Sequence, residues 1–148
     1  MSLNWRQFEH GVLRPALPTA TEQAIKLVGE TIWHESDRLR ALGQYPQESR
    51  GLIFGPGLGI ASIEESTWDW MQQTTQAVNI QGRSYEELAW DLRLNVQACR
   101  LRYRLDPQRL PIEDTIKARA DYWQLIYYAG IEDKRKLYID NARLIRWK

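Results

Sequence analysis

The chain has one cysteine, two histidines and almost no excess charge, and each scarcity removes a class of function. Cys99 alone can form no intramolecular disulfide, and no zinc site can rest on thiolates. Lying between Val96 and Tyr103 at helical spacing, it reads as a small buried residue rather than a nucleophile. His10 and His34 do not fall in a His-Glu-x-x-His spacing, so neither metal nor cofactor is expected. Twenty basic against 19 acidic residues leave a net charge of +1, which gives no field to draw nucleic acid or hold a membrane surface. Arg93, Arg100, Arg102 and Arg104 cluster locally, and the spacing reads as a solvated helix face. No apolar run approaches the roughly 18–20 residues that cross a bilayer, so no membrane insertion is expected. Residues 1–18 lack a basic start followed by an apolar stretch, so no secretory signal is expected. Repeats and low-complexity tracts are also missing.

What is present is the composition of a folded protein, 43% hydrophobic and 26% charged, with seven Trp and seven Tyr. A length of 148 residues suits one domain with a single core. Residues 1–18 read as an irregular arm closed by Pro15 and Pro18, with Trp5, Phe8, Val12 and Leu13 packing back onto the rest. Thr19 with Glu22 has the form of a capping box and predicts a helix over about 20–42, stopped by Gly43. Ser62 with Glu65 predicts a second over about 63–78, with Trp68, Met71 and Thr75 on one stripe. Ser84 with Glu87 predicts a third over about 85–104, its inner face Leu88, Leu92, Val96, Cys99 and Tyr103, ended by Asp106-Pro107. A fourth runs from Pro111 and Asp114 to Gly130 with Ile116, Ala120, Trp123 and Tyr127 buried. A fifth covers about 132–146, amphipathic through Leu137, Ala142 and Leu144. The expected class is mainly α, with about five helices. Between the first two helices, residues 43–61 carry five glycines and two prolines. Glycines at 51, 55, 57 and 59 permit tight turns and close backbone approach to a ligand, so this stretch is either a functional loop or a connector.

One residue breaks the first helix's pattern. Positions 28, 32, 35, 39 and 42 share a face, and four of them are Val28, Ile32, Leu39 and Leu42. The fifth is Glu35, and a carboxylate left charged and unpaired in an apolar stripe costs several kcal/mol. Either it pairs with an arginine, one from the third helix or Arg38, or its pKa rises and it can donate a proton near neutral pH. Near the end of its helix, it would face the glycine-rich loop.

In order along the chain come Glu35-Ser36, a spacer containing Gln44, the run Gly55-Pro56-Gly57-Leu58-Gly59-Ile60, then Glu64 and Thr67. This order resembles goose-type lysozymes and lytic transglycosylases, in which a catalytic Glu followed by Ser ends a helix. The chain resembles more closely a group of phage proteins related to these enzymes. The shared pieces are Val12-Leu13-Arg14-Pro15-Ala16-Leu17, His34-Glu35-Ser36, the glycine loop, Asn95 through Ala98 to Arg102-Tyr103, and Tyr122-Trp123. The resemblance spans about residues 8–130 and implies a lysozyme-like fold that cuts the β-1,4 bond after N-acetylmuramic acid in bacterial peptidoglycan, with Glu35 as general acid and base. It further implies that Ser36, Gln44, Tyr45, Gly57, Gly59, Ser62, Glu64, Tyr127 and Tyr128 line or order the glycan site. A transglycosylase needs no second carboxylate, whereas a hydrolase would place a water on Glu64 or Glu65. Glu65 also reads simply as a capping residue and Glu64 as a first-turn acid. Tyr45, Tyr127 and Tyr128 would stack on sugars or donate hydrogen bonds, with buried packing expected for at least one. The implied location is a phage particle or the host cytoplasm before lysis, with other virion proteins as further partners. Ser62 stands where the family has a glutamine, and Tyr128 where the transglycosylases have an asparagine. These departures favour an alternative, a virion structural or assembly protein that keeps the fold without the chemistry. A third possibility is a helical binding module in which Glu35 is an ion-pair partner.

Overall fold

The chain is mainly helical, with one small two-stranded sheet, and the computed structural model describes residues 3–40, 57–74 and 80–147. The N-terminal arm is helical rather than irregular. Asn4 and Gln7 form a capping box that opens α1 (Trp5–Phe8), which continues through a π turn (Glu9–Leu13) into α2 (Arg14–Ala16). Trp5, Phe8 and Leu13 are buried, so the arm does pack back as expected.

Helix α3 (Glu22–Glu35) starts at Thr21, not Thr19: the Thr21 side chain accepts from the Ala24 amide at 3.2 Å. It also stops seven residues earlier than its hydrophobic spacing predicts. The Ser36 hydroxyl donates back to the Ile32 carbonyl at 2.5 Å and accepts from the Leu39 amide at 2.9 Å. Asp37, Arg38 and Leu39 then take φ of 47°, 59° and 65°, a left-handed turn that costs L-residues roughly 1–2 kcal/mol each. The stripe therefore ends at Glu35. Leu42 and Gly43 lie outside the described residues.

Strands β1 (Gly57–Leu58) and β2 (Ile63–Glu64) pair antiparallel, Gly57 opposite Glu64 and Leu58 opposite Ile63. Because this hairpin uses residues up to Glu64, α4 (Glu65–Thr74) begins at Glu65 and Ser62 is not its cap. Trp68 and Met71 are buried as their spacing implies, while Thr75 lies outside the described residues. Ser84 and Glu87 do form their capping box, but it opens a 3-10 turn (Tyr85–Ala89). The long helix α5 (Leu92–Arg104) has its own cap, Asp91, which accepts from the Leu94 amide at 2.9 Å. Val96, Cys99 and Tyr103 are its buried face, and burial pushes the Cys99 thiol pKa up, out of the range of a nucleophile.

Helix α6 (Ile116–Tyr122) runs without interruption into a π-helical segment (Trp123–Tyr128), closed by Ala129 in a left-handed conformation. Helix α7 (Arg135–Ala142) is shorter than predicted. Ala142 faces inward as expected, but Leu137 and Leu144 are exposed, and Tyr138 and Ile145 are buried in their stead. The cause is polar: the Tyr138 hydroxyl donates to Glu30 Oε1 at 3.1 Å inside the protein.

That carboxylate belongs to an ion pair buried in the interior. Arg119 of α6 grips Glu30 in a two-point fork, Nε to Oε1 at 2.7 Å and Nη2 to Oε2 at 3.0 Å, and also reaches Asp114. Around it, one large apolar cluster runs from Trp5 to Ile145, and a smaller one joins α6 to α7 through Ala120, Trp123, Tyr138 and Ala142. Among the described residues, no helix is long and apolar enough to cross a membrane.

Candidate active site

Glu35 is the last residue of α3, followed at once by the left-handed turn. The side chain opens on a cleft of about 320 Å³. Hairpin residues Ser62, Ile63 and Glu64 form one wall, Thr67 of α4 and Arg102 of α5 a second, and Tyr127, Tyr128 and Ala129 the third.

The electrostatics of Glu35 are those of an acid, not of an ion-pair partner. Among the described residues no Lys or Arg nitrogen forms a salt bridge with it, and Arg38 pairs with Asp37 instead. Burial raises its pKa from 4.5 to about 7, opposed by a hydrogen bond from Trp123 Nε1 to Oε1 at 3.2 Å. The ion-pair arrangement considered for Glu35 exists five residues away, at Glu30. Trp123 is held in turn by His34, whose ring meets it edge-on at 4.9 Å. Burial lowers the His34 pKa to about 4, so its imidazole is neutral, and its Nδ1 lies 2.8 Å from the Asn141 amide nitrogen.

The π-helical segment explains how three aromatic residues crowd one site. Widening the helix brings residues four and five positions on from Trp123 to the same side. Tyr128 therefore stacks on Trp123, centroids 5.2 Å apart, while Tyr127 packs on Tyr103 at 5.1 Å. The Tyr127 hydroxyl donates to the Ala61 carbonyl, which ties the hairpin to the site. Tyr127 thus has the packing role expected of at least one tyrosine, and Tyr128 remains exposed at the cleft mouth.

The hairpin is anchored twice more. Tyr85 donates to the Ile63 carbonyl at 2.7 Å. Asn95, fully buried on α5, donates to the Leu88 and Asp91 carbonyls at 2.8 and 2.9 Å and accepts from the Ala61 amide at 3.3 Å. Gly59, with φ of 77°, runs so close to Asn95 that a Cβ there would collide with Asn95 Oδ1 and the Leu88 carbonyl. At Gly57 a Cβ would stand 2.6 Å from the Ser62 carbonyl oxygen. Both glycines serve close approach within the chain itself, and neither borders the cleft.

Of the residues singled out in the sequence, Glu35, Ser62, Glu64, Tyr127 and Tyr128 come together around the cleft. Ser62 lies against the helix end, its hydroxyl donating to the Glu35 carbonyl at 3.3 Å. Ser36 is buried and spends its hydroxyl on the helix terminus rather than on the cleft. Gln44 and Tyr45 lie outside the described residues, as do Gly51, Gly55 and Pro56. Glu65 does not border the cleft.

Sequence reasoning missed residues of the site, Trp123 and Arg102 foremost. Trp123 reads as core, and nothing local says that its indole N–H meets a carboxyl. Arg102 reads as one of a solvated cluster, yet it is half-buried, borders the cleft and lies over the Trp70 ring at 5.5 Å. The available signal was its position three residues after buried Cys99, at the margin of the inner face of α5.

No protein-family model, curated protein or solved structure matches the chain.

Proposed function

We propose that this chain is a lysozyme-like enzyme that cleaves the glycan of bacterial peptidoglycan, a lytic transglycosylase or muramidase of phage origin, with Glu35 as general acid. One observation carries the reading: a carboxyl group with no cationic partner among the described residues, raised to a pKa of about 7, opens on a cleft large enough for a sugar. Such a group holds its proton at neutral pH and can still give it up, the property that protonating a glycosidic oxygen requires.

In the first step the Glu35 proton passes to the glycosidic oxygen, the C–O bond breaks, and an oxocarbenium-like centre develops on the muramic sugar. The Glu35 carboxylate then takes a proton from the group that attacks this centre. If the attacker is the sugar's own hydroxyl, the product is an anhydro sugar and no second carboxylate is needed. If it is water, the product has a reducing end. Glu64, exposed at the cleft wall, is the second acid among the lining residues. The aromatic face of Tyr128 offers a sugar a surface to stack on.

Mass spectrometry of peptidoglycan digested with the wild type and with Glu35→Gln tests activity, residue and reaction type together. Wild type should release soluble muropeptides, and Glu35→Gln should release them at least about 100-fold more slowly. Anhydro ends assign a transglycosylase and reducing ends a hydrolase. Wild-type protein that releases nothing overturns the reading and leaves the assembly role, with virion proteins as partners.

A further inference from the structure

The cleft beside Glu35 does not end at Arg102. A second hollow of about 240 Å³ is lined by Ser66, Thr67, Trp70 and Arg102, and Thr67 and Arg102 border both. The two hollows adjoin between α4 and α5, with the Arg102 side chain at their junction.

Arg102 is half-buried and carries a full positive charge, yet among the described residues it has neither an ion-pair partner nor a hydrogen-bond acceptor. Its charge is not spent on Glu35, whose state is set by burial and Trp123. Nor is it spent on Glu64, which borders the same cleft without forming a salt bridge to it. What holds the guanidinium is the Trp70 ring, 5.5 Å from its centre. A cation–π contact of this kind orients a planar group without neutralising it. Its N–H donors stay available, and a guanidinium fork fits a carboxylate at two points. Trp70 is itself 38% exposed, a large apolar surface beside a cation unpaired among the described residues. Sugars bind through this combination, their C–H faces on an aromatic ring and their charged substituents on a fork.

We propose that Arg102 and Trp70 form a subsite for an acidic glycan, in which Arg102 clamps a carboxylate carried by the strand and Trp70 supports the adjoining sugar. The subsite rests on reading the Glu35 cleft as a glycan site and adds a selectivity to it: the enzyme prefers strands bearing carboxylates over neutral ones. Two sources supply that chemistry in a cell-wall strand, an acid group on the sugar itself and the acid groups of an attached peptide.

Binding to Glu35→Gln, in which turnover is slowed at least about 100-fold, tests the subsite by calorimetry at low salt. The probes are a neutral N-acetylglucosamine oligomer, a peptide-free strand with acidic sugars, a peptide-bearing strand, and both acidic strands after amidation of their carboxylates. At least one acidic strand should bind about tenfold more tightly than its amidated form, the ratio expected for a charge-assisted hydrogen-bonded pair. Discrimination in the peptide-free strand assigns the sugar's own carboxylate, and discrimination confined to the peptide-bearing strand assigns the peptide's. Adding Arg102→Gln should erase the preference and leave affinity for the neutral oligomer within about twofold. Trp70→Leu should weaken every probe.

Equal affinity for acidic and amidated strands overturns the proposal, as does an Arg102→Gln variant that weakens all probes alike. Should Arg102→Gln fail to fold, the comparison of acidic with amidated strands in protein that retains Arg102 still decides. Charge-selective binding by a wild type that releases no fragments leaves the subsite standing and overturns the catalytic reading. Cleavage without charge selectivity does the reverse.

Discussion

The indole N–H of Trp123 meets the carboxyl of Glu35 at 3.2 Å, from a residue 88 positions further along the chain. This bond favours the charged form of Glu35, while burial favours the neutral one, and burial wins by enough to leave the pKa at about 7. Replacing Trp123 by Phe keeps an aromatic ring against His34 and Tyr128 but removes the donor. The Glu35 pKa then rises further. Because the acid works in its protonated form, the alkaline limb of muropeptide release should move to higher pH in Trp123→Phe. A pH–rate profile reads this directly, and a limb that stays put or moves to lower pH would contradict the role given to Trp123.

Glu35 also ties stability to pH. Its folded pKa of about 7 lies above the ordinary 4.5, so between these values the folded protein holds more protons than the unfolded chain. Wild-type stability therefore falls as pH rises through that window. Glu35→Gln has nothing to titrate and keeps an acceptor for Trp123. Its advantage over wild type should be near zero at pH ~4 and grow to at most about 3 kcal/mol at pH ~8. Urea unfolding of both proteins at the two pH values measures the difference, and parallel behaviour would count against a buried, uncompensated Glu35.

Glu30 and Arg119 are each nearly inaccessible, at 1% and 4% exposure. Arg119→Met strands the Glu30 carboxylate and should cost about 3–5 kcal/mol of stability. Glu30→Met with Arg119→Met removes both charges and should recover most of that loss. Chemical denaturation of the two variants separates an ion pair that must be matched from one that merely fills space.

The hairpin's attachment to α5 depends on Gly59 and Asn95 together. Gly59→Ala should be destabilising, since its methyl group meets Asn95 and the Leu88 carbonyl at a backbone φ of 77°. Asn95→Ala leaves the Ala61 amide, the Leu88 carbonyl and the Asp91 carbonyl without its side chain, at a cost of about 1–3 kcal/mol. Thermal unfolding tests both, and hydrogen exchange at Ala61 should speed up in each.

Much of the fold was legible in local pattern. The spacing of Trp68 and Met71, and of Val96, Cys99 and Tyr103, correctly identified which faces turn inward. Helix ends were less legible, because an end depends on which of several polar side chains reaches a free backbone group. The capping-box pattern pointed to Thr19, and the fold uses Thr21. Leu39 and Leu42 fit a continued helix, and the Ser36 hydroxyl with its left-handed turn stops it at Glu35. In α7 the pattern put Leu137 inside, whereas a buried carboxylate needed the hydroxyl of Tyr138.

Residue spacing alone placed a carboxylate in the apolar stripe of α3 and made the class mainly helical. It could not say which acid of α3 is neutralised and which is left to titrate. The tertiary structure decided that, by laying α6 and its π-helical continuation across α3 so that Arg119 meets Glu30 and Trp123 meets Glu35. Periodicity fixes the face on which a side chain sits. The proton affinity of a buried acid depends on the donors and charges brought against it, and here those come from nearly 90 residues away.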